Sequence, residues 1–391
     1  MSAGITQVIA KEVQDSHLTG EPEISFFSSG YKRHTNFAMY TEEQQKVGTI
    51  GNDGLMTVRI ERTGDLLQGL YVTKTANGSG DVFDQSGGVT EVTEFSNLFD
   101  HVDLMIGGQV VDTWWPDFGQ YIAPQLTSTS QSQYNITDGS RAPFSHIPIS
   151  FWFTGNPQGF LPLVALQYHD VELRIIFSSK VTTGAGGNIN TSSGDNLHFW
   201  GKYISLDEEE RKFMTEKSMN LLITQIQRQP ASNEKIHEFN FTHPIKFLAT
   251  KGSQASPAWG QNPLRNTSAY NSDTTTITLQ VNGTALSRPM FSSPHLTQVT
   301  KYYNSRYGQL VPPGYGDGTE PVKVWTSDVF LYPFCLDTNS YQPTGTLNFS
   351  RVDNATFKVE SGDNTFVDDL YGVNYNILRI QNGMGGLVYA N

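Results

Sequence analysis

"VDLMIGGQVVD", residues Val102 to Asp112, sets Val102, Leu104 and Ile106 at alternate positions and then meets two glycines, Gly107 and Gly108. Successive residues of a strand face opposite sides of a sheet, so this alternation reads as a half-buried strand. A two-residue turn that matches strand twist needs positive φ, which glycine adopts freely, so the stretch predicts a β-hairpin. A second stretch, "ITLQVNGTAL" from Ile277, does the same with Ile277, Leu279 and Val281 before a turn at Asn282-Gly283. The odd positions His237, Phe239, Phe241, His243, Ile245 and Phe247 predict a further continuous apolar face.

The two hairpins open a longer repeat. After the first come "IPISFWF" (Ile147 to Phe153), a proline-bearing turn and "HDVELRI"; after the second come "VFLYPFCL" (Val329 to Leu336), "YQPTG" and "DNATFKV". Gly283 follows Gly108 by 175 residues, Pro343 follows Pro162 by 181, and Ala355 follows Val171 by 184. Offsets that grow steadily are what loop insertions produce, so the chain carries two copies of one all-β unit. A unit of that size exceeds an immunoglobulin-like sandwich and suits an eight-stranded jelly roll with long loops. The predicted fold is therefore all-β: two tandem eight-stranded jelly rolls, a double jelly roll, with a short linker helix.

That helix is "SLDEEERKFMTEK", Ser205 to Lys217, where Ser205 and Glu208 have capping-box spacing and Asp207 to Glu210 load the positive end of the dipole. The acidic run reads as a solvated helix start. A weaker helical pattern opens the chain, with Ile5, Val8, Ile9 and Val13 on one face. Alone it would be marginal, so it needs a partner surface. The expected divisions are an arm at 1–21, the first jelly roll at 22–204, the linker helix at 205–218 and the second jelly roll at 219–391.

Composition narrows the function. Charged residues make up 16% of the 391 and aromatic residues 12%, which suits a β-rich chain with long loops. The formal net charge of -12 repels phosphate backbones, so no direct nucleic-acid partner is expected. A single cysteine, Cys335, excludes an internal disulfide and reads as a small core residue. No basic stretch followed by an apolar one marks a secretory signal at the N-terminus, and no apolar run approaches the ~20 residues of a membrane span. Synthesis in the cytosol is the expectation.

The search for chemistry starts at "LPLVALQYHDVELRI" (Leu161 to Ile175), which sets His169 beside Asp170. On a strand these two point to opposite sides, so they cannot act as a base and its orienting acid. The nine histidines stand singly, at 17, 34, 101, 146, 169, 198, 237, 243 and 295, with no zinc spacing among them. A G-x-S-x-G nucleophile elbow is absent. "GAGGN" (Gly184 to Asn188) and "GMGG" (Gly383 to Gly386) read as loops, and Asp368-Asp369 as solvated. No catalytic residue, cofactor or metal site is predicted. Sequons stand at Asn77, Asn135, Asn190, Asn266, Asn282, Asn348 and Asn354. A chain rich in Asn, Ser and Thr produces such matches by chance, and Asn282 already serves a turn; Asn77, Asn135, Asn190 and Asn266 remain as candidate N-glycosylation positions.

Four long segments go beyond a generic double jelly roll: "LTGEPEISFFSSGYKRHTNFA" (Leu18 to Ala38), "IPISFWFTGNPQGFLPLVALQYHDVELRI" (Ile147 to Ile175), "YQPTGTLNFSRVDNATF" (Tyr341 to Phe357) and "YGVNYNILRIQNGMGGLVYAN" (Tyr371 to Asn391). In these the chain resembles the major capsid proteins of the nucleocytoplasmic large DNA viruses, the algal-virus branch above all. The resemblance implies a structural protein of the virion, not an enzyme. Its homotrimers would form pseudo-hexagonal capsomers that tile an icosahedral shell and contact neighbouring capsomers. It also implies an N-terminal arm beneath the capsomer, where Ile5, Val8, Ile9 and Val13 would meet minor capsid proteins and the internal viral membrane surface. Two alternatives stand beside it. One is a minor capsid paralogue. The other is a lectin-like double β-sandwich whose Trp114, Trp115 and Trp259 stack on sugars; a jelly-roll enzyme fits least, since the metal set is missing.

Overall fold

At Gly107 and Gly108 φ is +58° and +82°, and the chain folds back so that Ile106 pairs with Gln109. This joins strands β4 (Phe99–Ile106) and β5 (Gln109–Trp114). At Asn282 and Gly283 φ is +50° and +77°, and Val281 pairs with Thr284. Both predicted hairpins form. The computed structural model describes residues 5, 8–10, 12–76, 80–81, 95–127, 146–154, 156–181, 183, 189, 196–251, 268–305 and 329–389.

Around the first hairpin stand β1 (Phe37–Glu43), β2 (Leu55–Arg59), β3 (Leu66–Ala76), β6 (Ile147–Ile149), β7 (Val171–Phe177) and β8 (Asn196–Leu206). They form two antiparallel sheets, ordered β1-β8-β3-β6 and β2-β7-β4-β5. Around the second hairpin stand β9 (Met219–Gln229), β10 (Ile236–Phe239), β11 (Pro244–Thr250), β12 (Thr276–Val281), β13 (Thr284–Ala285), β14 (Phe330–Pro333), β15 (Ala355–Ser361) and β16 (Leu370–Gln381). Their sheets are ordered β9-β16-β11-β14 and β10-β15-β12-β13. Adding eight to each strand number of the first pair gives the second, so one jelly-roll topology occurs twice.

Alternation drives each core. Along β7 every second residue is buried, from Val171 through Leu173 and Ile175 to Phe177, and these pair with Ile106, Leu104, Val102 and Phe99 on β4. The second core is aromatic: Phe239, Phe241, Phe330, Phe349, Phe357 and Phe366 surround a fully buried Tyr270. His237 lies in it as a satisfied core residue, its Nε2 2.9 Å from Pro230 O and its Nδ1 2.6 Å from Tyr270 Oη. A carbonyl can only accept, so Nε2 carries the proton and Nδ1 accepts from the tyrosine. Burial pushes the His237 pKa down and keeps the ring neutral.

Two expectations change. The apolar face from His237 to Phe247 is not continuous, because the chain crosses there from one sheet to the other. His243 takes φ +65°, and the β11–β16 register shifts between Ile245 and Phe247. Ile245 therefore joins the second core while Phe247 faces away from it. The linker helix, α1, spans Glu208–Glu216 and is capped by Asp207, whose carboxylate accepts from Glu208 N at 2.8 Å. Ser205 belongs to β8, so the expected capping box does not form. Arg211 ties this helix to the first jelly roll through Asp65 at 2.9 Å.

Residues Met1–Asn36 form a unit of their own. Its backbone is helical at Ile5, Val8 and Ile9, and again at Val13–Asp15 and Ser16–Thr19.

Candidate functional site

The stretch from Leu161 to Ile175 is where the two jelly rolls meet. Leu161 and Pro162 pair with Leu67 and Leu66 of β3, and a tight turn at Leu163–Ala165 follows. Asp170 then points to solvent, where Arg59 and Arg62 reach it at 3.0 and 3.1 Å. Arg62 also donates to the carbonyls of Gln167 and His169. The pair lies in the bend before β7 and not on the expected strand, and His169 turns to a different partner. Its partner lies 216 residues on: Nδ1 is 2.9 Å from Gly385 O.

Gly385 belongs to a third hairpin, which the sequence reading took for a loop. Asn382 and Gly383 take φ +53° and +78°, and β17 (Met384–Leu387) pairs back on β16. The glycines are there for close approach. A Cβ on Gly385 would lie 2.7 Å from the Leu166 side chain, and one on Gly383 would lie 2.6 Å from the Tyr168 ring. Tyr168 N also donates to Gly383 O at 2.9 Å.

A second part of this seam joins β5 to β9. Gln225 donates to Val111 O, and Ile226 N donates to Asp112 Oδ1 at 3.1 Å. Thr113 N donates to the same Asp112 oxygen at 2.9 Å. Burial pushes the Asp112 carboxyl up to about 8, against the pull of these two donors, with nearby Asp103 adding to the rise.

A third part is apolar. The helical segment after β5, Phe118–Leu126, packs Phe118, Ile122 and Leu126 against Phe247, Leu331 and Tyr371 of the second jelly roll. Gly119 allows the helical segment to approach Trp114 closely, since a Cβ there would lie 2.6 Å from its ring. Arg228 closes the edge, stacked 4.7 Å over the Trp115 ring and bonded to Asp369 at 2.7 Å.

Several sequence expectations resolve at this seam. Asp368 is buried and Asp369 is held by Arg228, so this pair is not solvated as expected. Trp114 is fully buried between Phe95 and Phe99, and Trp115 lies under Arg228, so neither offers a platform to a sugar. Cys335 is buried in the seam core, where burial raises its thiol pKa. Among the described residues no group of three or more His, Cys, Asp or Glu could hold a metal ion. Asn282 serves its turn, accepting from Asp353 N at 2.9 Å. In the arm, Ile5, Val8, Ile9 and Val13 are all exposed. The candidate glycosylation positions Asn77, Asn135, Asn190 and Asn266, together with Trp259 and Gly184 to Asn188, lie outside the described residues.

What this arrangement does is mechanical. It fixes two like barrels in one orientation through hydrogen bonds, a glycine hairpin and a shared apolar core. Comparison with known proteins agrees. Residues 25–207 match the family described as "Major capsid protein N-terminus", and residues 210–386 match "Large eukaryotic DNA virus major capsid protein". The chain is 32% identical to a major capsid protein of Pyramimonas orientalis virus and 31% identical to that of Paramecium bursaria Chlorella virus 1, in both cases over 100% of each chain. It is also similar to a chain of the PBCV-1 virus capsid, with a TM-score of 0.69 and 26% identity over 94% of this chain and 100% of that one. Two jelly rolls of one topology, locked by a built seam and matched end to end by these relatives, place the chain in the family of major capsid proteins of large eukaryotic DNA viruses.

Proposed function

We propose that three copies of this chain close into a pseudo-hexagonal capsomer, and that such capsomers tile an icosahedral shell through contacts with their neighbours. The observation that carries this reading is the double topology: one chain presents two equivalent barrels in fixed relation, so three chains supply the six units a hexagonal outline needs. The proposed division of labour keeps the arm at 1–21, jelly rolls at 22–204 and 219–391, and the linker at 205–218. The arm's exposed Ile5, Val8, Ile9 and Val13 face inward, toward minor capsid proteins or the internal viral membrane surface. Assembly takes place in the host cytoplasm without direct contact to nucleic acid, in keeping with the net charge of -12. The chain performs no catalysis, and its buried histidine, carboxylates and cysteine serve packing.

Negative-stain images of the purified chain test this. Three-fold particles of hexagonal outline are expected; a field of two-lobed single chains would overturn the reading.

A further inference from the structure

Within the chain, the helical segment after the fifth strand of the first jelly roll is covered. Residues 111–127 include no exposed position among those described, because the sheet β9-β16-β11-β14 lies against Phe118–Leu126. The second jelly roll carries a segment in the same topological place, after β13, also helical, over Ser292–Val299, where Ser293 breaks it, and Thr300–Asn304. Its inner side is buried through Leu296 and Thr297. Its far end is anchored, since Asn304 Nδ2 donates to Cys335 O and Asn304 O accepts from Thr338 N, both at 2.9 Å. The outer side is bare: Val299 is 42% exposed, Tyr302 81% and Tyr303 74%. Large apolar groups held in place on a bare surface mark a contact site.

The sheet that would receive them is less covered on its outward face among the described residues, where Tyr71 meets the edge of His146 but no helical segment. The first jelly roll's counterpart of β9-β16-β11-β14 is β1-β8-β3-β6. On β16 every residue from Leu370 to Asn376 is buried, whereas β8 alternates, with His198 and Trp200 half-buried and Lys202 exposed. Trp200 and Tyr71 lie side by side on that outward face, planes 14° apart and centroids 6.4 Å apart, and Pro148 stands opposite Tyr71 in register. Among the described residues, one chain thus fills one segment-on-sheet contact and leaves one segment and one sheet without the equivalent contact.

We propose that the segment Ser292–Asn304 of each copy packs, through Val299, Tyr302 and Tyr303, on the β1-β8-β3-β6 face of a second copy of this chain, around Tyr71 and Trp200. This rests on the capsomer reading and names its interface. The contact is head-to-tail, segment to sheet, so it propagates in one direction and ends only when a ring closes. Closure at three copies gives six like contacts, three within chains and three between them.

Two experiments on the full chain test it. The double variant Tyr302→Arg/Tyr303→Arg, at exposed positions, is expected to shift the particle mass from 130.2 kDa, three chains of 43.4 kDa, to 43.4 kDa with its melting transition kept. For direction, chains carrying Tyr303→Cys are co-assembled with chains carrying Lys202→Cys and treated with a short bis-maleimide. Linked pairs are expected in the mixture and in neither variant alone. Wild-type trimers together with a trimeric double variant and no linked pairs would overturn this interface while leaving the capsomer standing. A wild-type chain that stays at 43.4 kDa would remove both readings.

Discussion

Replacing Phe247 with alanine is expected to lower the unfolding free energy by about 3–5 kcal/mol, the usual cost of removing a buried phenylalanine ring. Phe247 is fully buried, but it belongs to neither jelly-roll core; it sits in the apolar seam with Phe118, Ile122 and Tyr371. The cavity opens between the barrels, while the two larger cores stay packed, the first of them including Ile223, Leu378 and Ile380 of the second jelly roll. Calorimetry is therefore expected to show the loss as a broadened or divided transition, with the barrels melting apart. Phe213→Ala, on the exposed side of α1, serves as the control and should change stability by less than about 0.5 kcal/mol. A Phe247 variant that melts like wild type would show that the seam is not what holds the barrels together.

The second large effect is a pH dependence at Asp112. Its carboxyl pKa in the fold is about 8, far above the ordinary 3.8, so between these values the folded chain keeps a proton that the unfolded chain has released. The folded state binds more protons in that window, and stability must fall as pH rises through it. The slope approaches about 1.4 kcal/mol per pH unit at its steepest. Asp112→Asn keeps a carbonyl oxygen to accept from Ile226 N and Thr113 N but cannot ionise. Denaturation at fixed chain concentration from pH 5 to 8 is expected to show the variant gaining on wild type by several kcal/mol toward pH 8. Parallel pH curves for the two proteins would contradict this account of Asp112.

Much of the fold was legible because local chemistry dictates it. Gly107-Gly108 and Asn282-Gly283 are positive-φ pairs flanked by alternating apolar residues, and such pairs have few other uses. His169 and Asp170 lie in the bend before β7 rather than on the expected strand, and they are kept apart by separate partners, Gly385 O for the first and Arg59 and Arg62 for the second. The third hairpin was missed because its glycines look like a flexible run; their role is to admit Tyr168 and Leu166, and nothing nearby in sequence announces those partners. The break at His243 was hidden because Ile245 and Phe247 keep the strand period while facing different cores. Asp112 reads as a polar residue on a half-exposed strand until β9 is laid over it. The seam is made of contacts between residues more than a hundred positions apart, such as Gln225 with Val111, which periodicity does not encode.

The seam holds two like barrels in fixed relation, as a subunit that closes in threes requires. The most direct test is the light-scattering mass of the purified full chain across a wide concentration range. The predicted result is a 130.2 kDa species that persists on dilution; a 43.4 kDa species at every concentration would contradict it.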